Sequence, residues 1–215
     1  MQQTPRATPT TDEVPDPALA FPFLGGRPCL NFVATLGKRH TVRIERLPSP
    51  DALARWITEA GLLPCPPEGF RVTDDDLAEA RVLREAMYGL LTAAMRGRRP
   101  EAADLGAVNE AAAHADLVPR LAPADDEPGG LCLSWHADHP VRAALSTVAR
   151  DAMLLAGGPL VARVKECEGP DCSLLFLDDS QARRRRWCSM DRCGNLAKVA
   201  GYRTRRHPAR RAGQA

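Results

Sequence analysis

The chain has 215 residues, 44% apolar and 26% charged, with a formal net charge of +2. That mix suits one globular domain, or one domain and a small module, and the absence of any run of about 18 uncharged apolar residues excludes a helical membrane span. The first twenty residues lack the basic-then-apolar order of a secretory signal, and the 19 Pro and 16 Gly form no repeat, so neither export nor a collagen-like fold is expected.

The small net charge hides an asymmetry. Residues 1–162 carry 16 basic and 21 acidic side chains, whereas residues 163–215 carry 13 basic and 6 acidic ones. Charge concentrated in this way speaks to partners more than to fold. The seven cysteines are uneven too: Cys29, Cys65 and Cys132 are scattered, and Cys167, Cys172, Cys188 and Cys193 fall within 27 residues. A cytoplasmic, reducing compartment is expected, and there a tight group of four cysteines reads as a metal site before it reads as disulfides.

In chain order, residues 1–19 are rich in Pro and Thr and read as a disordered tail. Gly25-Gly26 marks a turn, and Leu30 to Thr35 suits either a short strand or a first helical turn, the helix being preferred. Ser49-Pro50-Asp51 is an N-cap, a first-turn proline and an early acid. They open a helix over Asp51 to Ala60 that Gly61 stops, with Leu53, Trp56 and Ile57 on one buried face. Thr73-Asp-Asp-Asp76 opens the clearest helix, whose apolar face runs through Leu77, Ala80, Leu83, Ala86 or Met87, Leu90 and Leu91. The three acids suit the helix dipole better than a metal. A third helix spans Glu101 to Ala115, residues 122–130 read as a loop, and Leu131, Leu133 and Trp135 alternate as in a strand. Pro140 to Leu155 forms the last amphipathic helix, which Ala156-Gly-Gly-Pro159 stops. Residues 20–158 therefore read as a mostly helical domain with a little strand.

The next segment spaces its cysteines C-x4-C-x15-C-x4-C. Two equal pairs at that separation fit one structural zinc ion held by Cys167, Cys172, Cys188 and Cys193, although x2 is the commoner spacing within a pair. Two disulfides, or four unrelated thiols, are the alternatives. Leu174 to Leu177 reads as a strand, Arg185-Arg-Trp187 as its hairpin partner, and the residues after Cys193 as a helix starting at the last ligand. The expected class is α+β: a mostly α-helical N-terminal domain with a short sheet, then a treble-clef-like zinc finger of β-hairpin plus helix. Arg186 and Arg192 are expected to offset the thiolate charge and favour ionised Cys188 and Cys193.

Trp187-Cys-Ser-Met-Asp-Arg-Cys-Gly-Asn-Leu-Ala-Lys-Val-Ala-Gly-Tyr-Arg-Thr-Arg-Arg-His207, with Cys167, Cys172 and Leu175-Phe-Leu-Asp178 upstream, resembles the CGNR zinc finger. Gly26-Arg-Pro-Cys-Leu-Asn-Phe-Val-Ala-Thr35 and the Leu53–Gly61 helix resemble the ABATE domain that usually precedes that finger. The resemblance implies an ABATE-like regulatory domain over 20–158, a finger over 160–207 and a disordered basic tail over 208–215. It also implies a stress-induced transcriptional regulator whose finger binds DNA. Two departures stand out: Leu196 occupies the place of the motif's Arg, and Asn31 and Ala34 occupy places where Asp and Asn are expected.

Arg183, Arg184, Arg185 and Arg186 on the hairpin, and Lys198, Tyr202, Arg203, Arg205 and Arg206 on the helix, are the candidate nucleic-acid contacts. Leu196, Val199 and Ala200 would pack toward the hairpin, and Trp187 suits hairpin core better than base stacking. The alternative is a zinc-stabilised module that binds a protein or RNA without reading duplex DNA. No enzyme motif is present. His136-Ala-Asp-His139 reads as an exposed loop before it reads as a metal pair, and Cys29 as a buried thiol before a nucleophile. A small-molecule effector could bind the N-terminal domain near Phe21 to Thr35 and Trp56, residues that equally suit core. Homodimerisation through an apolar helix face stays open, without a heptad pattern to support it. The DNA site, the inducing signal and the direction of regulation are not written in the sequence.

Overall fold

A computed structural model describes residues 19–64, 66, 67, 69–123 and 129–199. The tails at 1–18 and 200–215 lie outside it, and with them Tyr202, Arg203, Arg205 and Arg206.

Among the described residues, five helices build the N-terminal unit: α1 (Pro28–Val33), α2 (Pro50–Glu59), α3 (Asp74–Met95), α4 (Ala102–Ala113) and α5 (Pro140–Gly157). Local chemistry fixes their ends. Ser49 accepts a hydrogen bond from the Ala52 N–H, Pro50 needs no donor in the first turn, and Gly61 leaves α2 at φ +71°. Thr73 and Asp76 form a capping box at the start of α3, so its acids do work at the helix end. The long α3 packs against α4 and α5, and α1 lies across α5 and α3. Leu53, Trp56 and Ile57 of α2 are fully buried, and Trp56 meets Phe32 of α1 at 4.8 Å between ring centroids. Asp151 of α5 clamps α1, accepting from the Arg27 guanidinium and from the Cys29 N–H at 3.0 Å.

Three antiparallel two-stranded ribbons accompany the helices among the described residues. The first joins β1 (Leu36–Gly37) to β2 (Ile44–Glu45), pairing Leu36 with Glu45 and Gly37 with Ile44. It is tied down by Glu45, whose two oxygens accept from the buried Arg84 of α3 at 2.6 and 2.7 Å. Burial alone would raise the Glu45 pKa, but the hydrogen bonds from Arg84 outweigh it and hold the carboxyl below its ordinary value.

The second ribbon pairs β3 (Val118–Pro123) with β4 (Leu131–His136), Leu121 lying opposite Leu133. The Leu131/Leu133/Trp135 alternation is a strand as expected, but its partner β3 carries two prolines and gave no strand signal. A two-stranded ribbon is all edge, which is where proline is tolerated. Trp135 packs on the core, while Leu121 and Leu131 each stay 70% exposed.

The third ribbon, β5 (Val164–Glu166) with β6 (Leu175–Leu177), follows a short 3-10 turn over Pro159–Arg163. It corrects the expected hairpin: Leu175–Leu177 is a strand, but its partner is Val164–Glu166, and residues 185–187 have no strand structure. The first cysteine pair therefore sits in the hairpin turn itself. Val164 and Leu175 join the large N-terminal core, and the Leu177 N–H donates to the Gly25 carbonyl at 2.8 Å. Among the described residues no helix is long and apolar enough to cross a membrane.

Candidate metal centre and basic surface

The turn from β5 to β6 carries Cys167 and Cys172. The Cys167 N–H donates to the Leu174 carbonyl at 3.0 Å, and the Cys172 N–H donates to the Gly169 carbonyl at 3.0 Å. Gly169 is needed for space: a Cβ there would lie 3.1 Å from the Cys193 sulfur. The chain returns past Arg186, whose carbonyl accepts from the Glu168 N–H, and delivers Cys188, whose own N–H donates to the Cys167 sulfur at 3.3 Å. Ser189 then caps a single π-helical turn, Met190–Gly194, accepting from the Arg192 N–H at 3.1 Å. That turn brings Cys193 back onto the site, and residues 195–199 continue as helix. The helix thus starts three residues before the last ligand, not at it.

All four Sγ atoms lie within 4.8 Å of one another. Cys188 and Cys193 are 3.6 Å apart and Cys172 and Cys188 are 3.9 Å apart. Four sulfurs at about 2.3 Å from a tetrahedral ion are separated by roughly 3.8 Å, so the donor set fits Zn²⁺. A disulfide needs about 2.05 Å, and these cysteines are free thiols. Without a cation the sulfurs compete for protons. Hydrogen bonds with Cys172 and Cys188 drive the Cys167 pKa down, those with Cys167 and Cys172 push Cys188 up, and burial raises Cys193 to about 12. The expectation that nearby arginines would favour ionised Cys188 and Cys193 does not hold for the thiols alone. A divalent ion is what lets all four ionise together.

Around the centre, Phe176 is fully buried, and Trp187 packs against the cysteine cluster rather than standing free to stack. A buried ion pair shapes the loop between the cysteine pairs. Lys165 donates to Asp178 at 2.6 Å and to the carbonyls of Arg183 and Arg185 at 2.8 and 3.2 Å. The Asp178 carboxyl, held by hydrogen bonds from Lys165 and then Ser180, sits far below the ordinary carboxylate range.

The four arginines divide into two pairs. Arg185 lies over the Phe176 ring at 4.6 Å and donates to the carbonyls of Trp187 and Cys188. Arg186 pairs with Glu168 at 2.6 Å and covers the Trp187 ring at 4.9 Å. Arg183 and Arg184 are exposed, as is Lys198, and none of the three has a carboxylate within 4.0 Å among the described residues. Leu196 and Val199, expected to pack inward, are 65% and 48% exposed. Tyr202, Arg203, Arg205 and Arg206 lie beyond the described residues.

The other candidates fall out as follows. Phe32 and Trp56 are core, and the Trp56 Nε1 has no acceptor. Burial, then the Asp151 charge, raises the Cys29 thiol well above its ordinary pKa. His136, Asp138 and His139 are exposed, and the four thiols are the only grouping of three or more potential ligands among the described residues. Asn31, in a place where Asp was expected, accepts from the Gly25 N–H at 2.9 Å and so secures the turn. Ala34 is buried in the cysteine cluster. Sequence reasoning missed the junction between the two units: Arg39 donates its N–H to Ser173 at 2.9 Å, His40 meets Glu166 at 2.6 Å, and Arg46 is buried beside the cysteine turn. Nothing in the spacing of 36–46 marks it.

A helical unit docked on a four-thiolate finger is therefore the class that fold and site define. Residues 26–159 match the family ABATE, described as "Putative stress-induced transcription regulator", and residues 163–206 match the CGNR zinc finger. The chain belongs to the ABATE family and carries a CGNR finger that holds one structural zinc ion through Cys167, Cys172, Cys188 and Cys193. No curated protein matches it.

Proposed function

We infer that the chain is a cytoplasmic transcriptional regulator: the finger binds DNA, and the N-terminal unit senses a small-molecule effector. The observation that carries the reading is the pairing state of the basic segment. Arg183, Arg184 and Lys198 are exposed without carboxylate partners among the described residues, on a frame that zinc holds in shape. Such cations neutralise phosphates. Further basic residues follow in the sequence beyond the described part, at Arg203, Arg205 and Arg206. No catalytic role belongs to this reading; the raised thiol pKa of Cys29 supports leaving it out as a nucleophile.

The test is a titration of the full, zinc-loaded chain with labelled duplex DNA over a range of salt. If about five cations contact phosphate, log K falls against log salt with a slope of roughly −4 to −5. Cys193→Ser should abolish the binding. Retention that ignores salt, or survives Cys193→Ser, overturns the reading. The exposed Leu196 and Val199 favour a second one, in which the helix meets a protein or RNA through an apolar contact. Loss of that binding in Leu196→Ser, with DNA binding absent, would select it.

A further inference from the structure

We propose that the cleft between the β1–β2 ribbon and the cysteine turn binds a small apolar carboxylic acid, anchored by the Arg46 guanidinium. This deepens the sensing role inferred above and rests on it for its biological meaning, although the binding itself can be tested without DNA.

Strand alternation builds the anchor. Glu45 faces α3 and is consumed by Arg84, so its neighbours Ile44 and Arg46 face the other way, into a cleft of about 200 Å³. Arg46 is only 4% exposed. It reaches its place by lying over Gly37, where a Cβ would come 2.3 Å from Nη1. Gly37 has no unusual backbone angle, so what it supplies is room for this side chain. The Nε atom donates to the Ala20 carbonyl at 3.0 Å and Nη1 to the Ala34 carbonyl at 3.4 Å. Among the described residues Nη2 donates to no protein group, and Arg46 lines the cleft. No carboxylate of the described residues lies within 4.0 Å of Arg46. A buried guanidinium held on one side by two carbonyls, with an amino group left over on a cleft, is a site for an anionic acceptor.

Size and lining select the rest of the ligand. An apolar cavity of about 150 Å³ takes a benzene ring, and sites for drug-sized molecules run to roughly 300–1,000 Å³, so this one suits a ring or short branched chain plus a carboxylate. Leu36, Ile44 and Leu196 supply apolar wall. Lys38 and Arg192 add two positive charges and Asp171 one negative, and the zinc–tetrathiolate behind the cleft adds a formal −2. The cleft is then neutral overall, so recognition is local and directional, through Arg46. Because one wall belongs to the N-terminal unit and the other to the finger, the ligand bridges them.

The experiment titrates benzoate, isovalerate and the neutral analogue benzamide into the full zinc-loaded chain, read by calorimetry and by ligand-observed NMR saturation transfer. Benzoate or isovalerate should bind, and benzamide should bind at least about tenfold more weakly. Arg46→Met and Leu196→Trp should each weaken the acid at least about tenfold. Leu196 is exposed, so the tryptophan fills the cleft without disturbing a core. Gly37→Ala, which displaces the guanidinium while keeping its charge, should do the same, and this holds even if Arg46→Met fails to fold. No binding of either acid up to about 10 mM overturns the proposal. So does binding that Leu196→Trp and Gly37→Ala leave unchanged, or benzamide binding as tightly as benzoate. DNA binding plays no part in these readouts, so either reading can fail alone.

Discussion

The two units hold themselves together by different means. The N-terminal one has a single large apolar core running from Cys29 to Leu155, with Trp56, Phe32 and Met87 fully buried. In the cluster under the finger, half the buried members are cysteines: Cys167, Cys188 and Cys193 beside Ala34, Leu174 and Phe176. The first kind of stability scales with apolar area and is always present; the second is a binding free energy and exists only with the ion. Yet the finger is not self-contained, since β5 and β6 bury Val164 and Leu175 in the larger core. The boundary of metal dependence should thus fall inside the finger: β5 and β6 stay with the core, while the ligand turn between them and the residues after β6 depend on the ion.

The strongest way to break this comparison is to remove a ligand. Cys188→Ser should reduce zinc from one ion per chain to none, with a loss on the order of the 10–16 kcal/mol by which zinc binds small modules. Amide exchange should become fast in the ligand turn and at 178–199 while α1–α5 keep their protection. If the helices lose protection as well, the two units are one cooperative block and the contrast fails. The converse change is Trp56→Ala, which should cost about 3–5 kcal/mol of stability by denaturant titration. Zinc should stay at one per chain in the folded fraction.

The helices were legible because their ends are local: Ser49-Pro50, Thr73 with Asp76, and Gly61 each announce themselves within four residues. The zinc site was legible because thiolate spacing survives any arrangement of what lies between. Of the ribbons, only β4 and β6 were legible as strands; their partners and the whole β1–β2 ribbon were not. Two- and three-residue strands such as Leu36–Gly37 and Val164–Glu166 carry no periodicity, and Val118–Pro123 hides behind its prolines. Nor could the spacing of four arginines say which were already committed. Arg185 is spent on Phe176 and two carbonyls, and that depends on where β6 places the ring.

A middle-sized effect probes how the junction is held. Glu45→Gln removes one of the two carboxylates that pair with the buried Arg84, the other being Glu85 at 2.9 Å, and should destabilise the protein by about 1–3 kcal/mol at pH 7, below the usual cost of breaking a buried pair because Glu85 remains and Glu45 is a third exposed. The folded pKa of Glu45 is depressed. Its stabilisation is therefore complete above the unfolded-state value and is lost as pH falls through the folded one. The gap between wild type and Glu45→Gln should narrow across that acidic window and stay constant above it, as urea midpoints at several pH values would show.

The smallest effects decide whether the finger's arginines divide as their contacts indicate. Arg184 is exposed and has no carboxylate partner among the described residues, so Arg184→Gln should leave stability within about 0.5 kcal/mol and flatten the DNA salt slope by about 0.9. Arg185 lies on a buried ring and donates to carbonyls beside a zinc ligand. Arg185→Gln should therefore cost about 1–3 kcal/mol in packing and hydrogen bonds and loosen zinc retention against a chelator, while leaving the slope of the surviving folded protein unchanged. The two substitutions remove the same charge from adjacent residues, so a difference between them measures position alone. If both flatten the slope equally and neither weakens zinc retention, the four arginines act as one solvated patch, and the finger's surface owes less to the ion than its geometry implies.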